Sequence, residues 1–282
     1  MVAISLKLSL RNLEQTRLHR QCQSVPELLN SADTGYLSAR IYSLVTIPMA
    51  ITLLLFGLIF AGFCFKKLAE TSRFQLFGQM INGITTEEKV LALTYDDGPN
   101  PPHTNRLMEV LEKYGAKATF FVIGSHAEQH VETVRQLIGQ GHELANHSYS
   151  HRRLVWTPKA IIAEEIHLTD QLLQRLGSKH QIHFRAPYGY KRIRLPLVLA
   201  QLKKINVLWN IDPRDYQANR AEAIVERVLQ QVQPGSIVLL HDGGGDRSLT
   251  VEATAQLIPQ LQQQGYQLKT VSELLALQAN HS

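Results

Sequence analysis

Cysteine is nearly absent: Cys22 and Cys64 are the only two in 282 residues. A disulfide framework or a thiolate metal site is therefore excluded from everything after Cys64, although the scarcity fixes no compartment. Blocks of one charge are missing too. Lys and Arg number 29 against 24 Asp and Glu, a net charge of +5, and the positive residues are scattered. Nucleic-acid binders carry a basic stripe interleaved with aromatics or a recognisable motif. Neither is present, so no nucleic-acid partner is expected, while attraction to an anionic polymer or a membrane surface stays open. No Gly-rich phosphate loop opens the first helical pattern, so a nucleotide-binding fold lacks its signature. No internal repeat is evident.

One long stretch lacks charge altogether. Residues 41–65 read IYSLVTIPMAITLLLFGLIFAGFCF, bounded by Arg40 and by Lys66 and Lys67. This is long enough to cross a bilayer as a helix, and Pro48 is tolerable near its entry turn. A cleaved signal peptide would be shorter and nearer the N-terminus, and a lipoprotein signal ending at Cys64 meets the bulky Phe63. The reading is an uncleaved transmembrane anchor over 41–65, preceded by a tail (1–40) without periodicity and followed by a linker (66–86). Lys7, Arg11, Arg17, Arg20 and Arg40 on one side and Lys66, Lys67 and Arg73 on the other leave orientation undecided by charge.

From about residue 87 the texture changes. Short apolar runs, among them KVLALTY (89–95), ATFFVIG (118–124), IHFRAP (182–187), INVLWNID (205–212) and SIVLLHD (236–242), alternate with helical patterns over 105–114, 130–140, 158–176, 221–231 and 251–264, with Ser272 capping a last short one and Gly115 and Gly141 closing the first two. Strands alternating with helices imply βα units around a mainly parallel sheet, and about seven strands suit a barrel better than an open sheet. In such folds chemistry gathers at the C-terminal strand ends. The polar residues there are Asp96, Asp97, His147, His151, Arg185, Asp212, Asp215, His241 and Asp242.

His147 and His151, four apart, can share a metal, but Ser148 stands where a zincin would have its Glu base. Asp96 and Asp97 supply what is missing. Adjacent carboxylates past a strand do not easily point the same way, so one can ligate while the other stays free. Two imidazoles and one carboxylate leave a coordination position open, as a hydrolytic zinc site requires, and the free carboxylate can take a proton. His241 offers a second proton-transfer group, Asp215 can orient it, and Arg185 can keep the base charged. Turn, capping and surface-pair roles are the alternatives for each motif alone.

Five motifs in order resemble the polysaccharide deacetylase family, also called carbohydrate esterase family 4 or the NodB homology domain. They are Thr94-Tyr95-Asp96-Asp97-Gly98-Pro99, His147-Ser148-Tyr149-Ser150-His151, Arg185-Ala186-Pro187-Tyr188, Asp212-Pro213-Arg214-Asp215-Tyr216 and Leu239-Leu240-His241-Asp242. The resemblance covers about Lys89–Leu275. It implies a distorted (β/α)7 barrel over 87–282 and a divalent metal, usually Zn2+, with Co2+, Ni2+ or Mn2+ as alternatives. It assigns Asp97, His147 and His151 to the metal. Asp96 becomes the base, tethered by Arg185, and His241 the acid, tuned by Asp215. The Tyr188 N–H would serve the oxyanion and Leu239 the acetyl pocket. Tyr216 replaces the usual Trp and puts substrate preference in question. The implied substrate is an acetylated amino-sugar polymer outside the cytoplasm, cleaved by N-deacetylation. An O-acetyl esterase and a non-catalytic sugar-binding barrel are the competing readings, and oligomeric state is undetermined. Asp246 and Arg247 are possible substrate contacts, and Trp156 is a stacking or packing residue.

Overall fold

A computed structural model describes residues 46, 49, 51–64, 77–179, 181–190 and 192–280. The chain divides into two units, Met1–Cys64 and Phe65–Ser282. In the first, residues 51–64 are helical, and Leu54, Phe56, Ile59 and Phe60 are all exposed. Among the described residues no helix is long and apolar enough to cross a membrane. The rest of the expected 41–65 span, apart from Thr46 and Met49, and the 1–40 tail lie outside the described residues.

The second unit is built on parallel strands. These are β1 (Gln79–Ile81), β2 (Val90–Asp96), β3 (Thr119–Val122), β4 (Glu143–Asn146), β5 (Ile205–Val207), β6 (Ser236–His241) and β7 (Gln267–Leu268). One ladder runs β4-β3-β2-β6, with β7 also on β2, and a second pairs β1 with β5. All seven residues of β2 are buried, as expected of a parallel strand covered on both faces. Its side chains alternate. Leu91, Leu93 and Tyr95 join the helices in one core with Leu107, Leu111 and Leu257. Val90 and Ala92 join Phe121, Ala145, Val207 and Ile237 from four other strands, with Val271 and Leu274.

The helices are α1 (His103–Lys113), α2 (Gly124–Gln129), α3 (Val131–Gly139), α4 (Lys159–Arg175), α5 (Arg194–Gln201), α6 (Ala221–Leu229), α7 (Ser248–Gln263) and α8 (Val271–Asn280). α8 supplies Val271 and Leu274 to the inner core. Its start is held by Glu143, which accepts from the Ser272 N–H (3.0 Å) and hydroxyl (2.5 Å). A carboxylate there meets unpaired amide donors and the positive end of the helix dipole.

Three expectations need correction. In place of a continuous seven-strand barrel the strands form two parallel ladders, linked by the single bridges Asn146 to Phe184, Phe184 to Asn206 and Ile211 to Val238. The expected strand at 182–187 reduces to Phe184, because the chain turns at Ala186 into a 3-10 turn, Pro187–Gly189, where proline has no N–H to continue pairing. The expected linker 66–86 contains β1, and the Ile84 N–H bonds to the Gly235 carbonyl at 2.9 Å. A Cβ on Gly235 would lie 2.1 Å from the Ile84 oxygen, so this crossing needs glycine.

Register positions the site. Asp96 pairs with His241 and with Phe121, and Val122 with Asn146. The ends of β2, β6 and β4 therefore lie along one edge, and Asp96, His241 and His147 emerge there.

Candidate active site

Along an extended strand Asp96 and Asp97 would face opposite ways. Asp97 instead adopts φ +72°, and both carboxylates line one cleft of about 330 Å³. The turn is clamped by the loop after β6: the Asp96 carbonyl accepts from the N–H groups of Asp242 (3.0 Å) and Gly243 (3.2 Å). The approach tolerates no side chain. A Cβ on Gly98 would sit 2.0 Å from the Asp242 carboxylate, and one on Gly243 would sit 1.9 Å from the Asp97 carbonyl.

The two histidines are presented by a turn. Ser148 and His151 have φ of +66° and +55°. The Ser148 N–H donates to Asn146 (2.8 Å), and the His151 N–H donates to the Ser148 hydroxyl (3.0 Å). Glu165 of α4 accepts from the N–H groups of Tyr149 (3.0 Å) and Ser150 (2.8 Å) and from the Ser150 hydroxyl (2.6 Å). His147 Nδ1 lies 3.0 Å from the Arg185 carbonyl. A carbonyl can only accept, so Nδ1 carries the proton and the Nε2 lone pair is left for the cleft. Asp97 Oδ1 lies 3.4 Å from His147 Nε2 and 3.0 Å from His151 Nε2, buried and without a hydrogen bond of its own. One atom from each of the three residues lies within 4.8 Å of the others. Bonds of about 2.0–2.1 Å around a tetrahedral ion put ligand atoms about 3.3 Å apart, so the set fits a small divalent cation. Burial alone would raise the Asp97 carboxyl; the two imidazoles beside it hold it well below the usual carboxylate range.

Arg185 is fully buried and donates to four oxygens. These are Asp96 Oδ1 (2.6 Å), the Thr94 hydroxyl (2.8 Å) and the carbonyls of Val207 (2.9 Å) and Leu208 (3.2 Å). Its guanidinium carbon lies 3.8 Å from the Phe121 ring centroid. The alternative of a weak surface pair is thereby excluded.

At the end of β6, His241 Nδ1 meets Asp215 Oδ1 at 2.8 Å. Asp215 Oδ2 accepts from the His241 N–H (2.8 Å) and the Thr250 hydroxyl (2.9 Å). Burial works against the charged imidazole, but Asp215, aided by Asp96 and Asp97, outweighs it and raises the His241 pKa. Tyr216 packs edge-on to His241, ring centroids 5.3 Å apart.

Ten residues were expected at the site. Asp96, Asp97, His147, His151, Tyr188, Tyr216, Leu239 and His241 line the cleft, and Arg185 and Asp215 sit directly behind it. Trp209, Gly189 and Asp212 also line it, with Trp209 not foreseen. It follows β5, and a strand-end Trp was the available signal. A Cβ on Gly189 would come within 3.0 Å of its ring. Arg247 reaches the cleft, tied to the Gly243 carbonyl (2.5 Å). Asp246 instead accepts from the N–H and hydroxyl of Ser248 at the start of α7 (2.9 and 2.7 Å), an Asx turn.

This α/β arrangement gathers two carboxylates, a buried guanidinium and three imidazoles at one strand edge, the kind of set a hydrolase uses. A family profile described as polysaccharide deacetylase matches residues 83–206. Peptidoglycan-N-acetylglucosamine deacetylase of Bacillus cereus is 38% identical over 194 residues, covering 68% of this chain and 91% of that one. A chitooligosaccharide deacetylase of Sinorhizobium fredii is 34% identical over 192 residues, covering 64% and 89%. A solved peptidoglycan N-acetylglucosamine deacetylase aligns with a TM-score of 0.67 at 29% identity, covering 69% and 92%. The chain belongs to the polysaccharide deacetylase family, carbohydrate esterase family 4.

Proposed function

We propose that this deacetylase hydrolyses the N-acetyl group of N-acetylglucosamine-type residues in an amino-sugar polymer, with a divalent cation, zinc first among candidates, held by Asp97, His147 and His151. The observation that carries the reading is the convergence of those three ligand atoms in one cleft with Asp96 and His241. The buried, unbonded Asp97 Oδ1 fits a missing cation partner. When bound, such an ion supplies Lewis acidity to the acetyl carbonyl and to a water molecule.

The chain's own residues move the protons. Asp96 takes the proton of the attacking water, its other oxygen fixed by Arg185. The water oxygen bonds to the acetyl carbon, the carbon–nitrogen bond breaks, and protonated His241 donates to the departing nitrogen. Asp215 keeps that proton on His241 until it is needed. The products are acetate and a free amine. The Tyr188 N–H is assigned to the developing oxyanion, Leu239 to the acetyl methyl, and Tyr216 to one wall of the sugar groove. We read the two strand ladders as a distorted barrel, which the three single bridges support.

The test is acetate release by the purified full-length chain from chitin oligomers and peptidoglycan, with and without a chelator. Release abolished by chelator and restored by Zn2+ supports the proposal. Chelator-insensitive release, or none on either substrate, overturns it. We place an anchor at 41–65, for which the uncharged run and the exposed apolar side chains at 51–64 are the support, and the catalytic unit outside the cytoplasm, where an extracellular polymer substrate would lie. Protease added to intact cells should then remove the catalytic unit, and full protection would contradict the placement.

A further inference from the structure

Helix α2 does not line the cleft, yet it is bonded to both turns that carry the proposed metal ligands. Toward the histidine turn it spends amides that a helix start leaves free. The Gly124 N–H donates to the Ser148 carbonyl and the Ser125 N–H to the Tyr149 carbonyl, both at 2.9 Å. The Tyr149 hydroxyl donates back to Glu128 at 2.7 Å. The approach is close: a Cβ on Gly124 would lie 2.4 Å from the Thr169 hydroxyl of α4 and 2.6 Å from the Tyr149 ring. Toward the aspartate turn, His126 Nδ1 lies 3.0 Å from the Asp97 carbonyl. The Ile123 N–H, just before the helix, donates to the Gly98 carbonyl at 2.9 Å. A carbonyl can only accept, so Nδ1 of His126 carries the proton.

Asp97 needs such holding. Its φ of +72° lies in a region that side-chain-bearing residues adopt where the surroundings over-determine it. Three successive carbonyls are fixed there: Asp96 by the amides of Asp242 and Gly243, Asp97 by His126, and Gly98 by Ile123. The bond to Asp97 comes from a side chain, so a substitution can remove it without altering the backbone. The Asp97 carboxylate hangs from this fixed unit, 3.4 Å from His147 Nε2 and 3.0 Å from His151 Nε2. Metal–ligand distances tolerate about 0.2 Å. A small tilt of the Asp97 peptide therefore appears as a change in metal affinity.

We propose that His126 is a positioning residue for the metal site. Its Nδ1–H sets the Asp97 turn, and α2 clips that turn to the histidine turn, so that the helix fixes the spacing of the three ligands. The inference rests on the metal reading above and adds to it a side chain that touches neither ion nor substrate.

The test is Zn2+ affinity of the full-length chain, by competition titration, for wild type, His126→Ala, His126→Asn and His126→Gln. Asn carries its N–H on Cγ, as histidine carries Nδ1, and can remake the bond. Gln places its N–H one atom further out and cannot. Ala and Gln should bind Zn2+ about tenfold more weakly, the lower end of what outer partners of ligands contribute. Asn should return close to wild type, and the metal-free chains should share one thermal midpoint. The visible bands of the Co2+-loaded chain, which report ligand geometry, should follow the same order. Should Ala fail to fold, the contrast between Asn and Gln carries the same prediction. Wild-type affinity in both Ala and Gln, or Asn as weak as Gln, would overturn the proposal. So would a lowered metal-free midpoint in all three variants without that ranking of affinities, which would give His126 a folding role alone. A wild-type chain that takes up no zinc would instead overturn the metal reading, and this inference with it.

Discussion

At the end of β2, two chemically identical carboxylates stand in different surroundings. Asp96 is 3% exposed and clamped by Arg185; Asp97 turns to two imidazoles through a left-handed backbone. The pair was legible in the sequence as a motif, but the dihedral that brings both into one cleft was not. Nor was the burial of Arg185, because its carbonyl partners come from residues 207 and 208, far along the chain. Arg185→Met should therefore cost about 3–5 kcal/mol, the usual result of leaving a buried charge unpaired. Chemical denaturation checks this, and a loss under 1 kcal/mol would show that Asp96 does not depend on Arg185 for compensation of its buried charge. His241 gives the pH prediction. Its pKa is raised above 6.5, so the protonated acid persists below that raised value and is lost as pH rises through it. The rate should fall on the alkaline side. Because Asp215 supports the proton and burial opposes it, Asp215→Asn should move that limb to lower pH and lower kcat. A limb unchanged in position would remove Asp215 from this role.

Most of the helices, α1, α3, α4, α6, α7 and α8, fall near where apolar periodicity or capping put them. Three short elements did not announce themselves. β1 is three residues, QMI, with no alternation to read; α2 is GSHAEQ, without an apolar stripe; α5 carries Pro196 in its first turn. The most consequential device at this scale is also invisible in sequence. Glu165 of α4, fourteen residues beyond His151, ties the turn that presents both histidines. Outer partners of this kind typically change metal affinity about ten- to a hundredfold. Glu165→Ala should weaken Zn2+ binding by that amount in a competition titration, with secondary structure retained, and unchanged affinity would mean that the turn holds itself. Gly98→Ala forces a methyl onto the Asp242 carboxylate and should destabilise the fold by about 1–3 kcal/mol. A thermal midpoint equal to wild type would show that the two loops can separate at no cost.

Across the molecule, the strand edge assembles groups from β2, β4, β6 and the turns beginning at Pro187 and Asp215, separated by more than a hundred residues. The order of motifs let the sequence place all ten expected residues at one edge, since parallel strands align their ends. It did not show how the ladders join, because single bridges such as Phe184 to Asn206 leave no pattern in a six-residue run. The structured catalytic unit also starts earlier than residue 87. A fragment trimmed there would lose β1 and the contact between Ile84 and Gly235, so functional work belongs on the longer chain. The account rests on a division of labour between neighbouring acids, one holding a cation and the other moving a proton. The direct measurement is zinc content and acetate release, taken in parallel for Asp96→Asn and Asp97→Ala. Asp96→Asn should keep about one zinc per chain yet lose about two to four powers of ten in rate, whereas Asp97→Ala should lose zinc and rate together. Full zinc occupancy in Asp97→Ala, or wild-type turnover in Asp96→Asn, would contradict it.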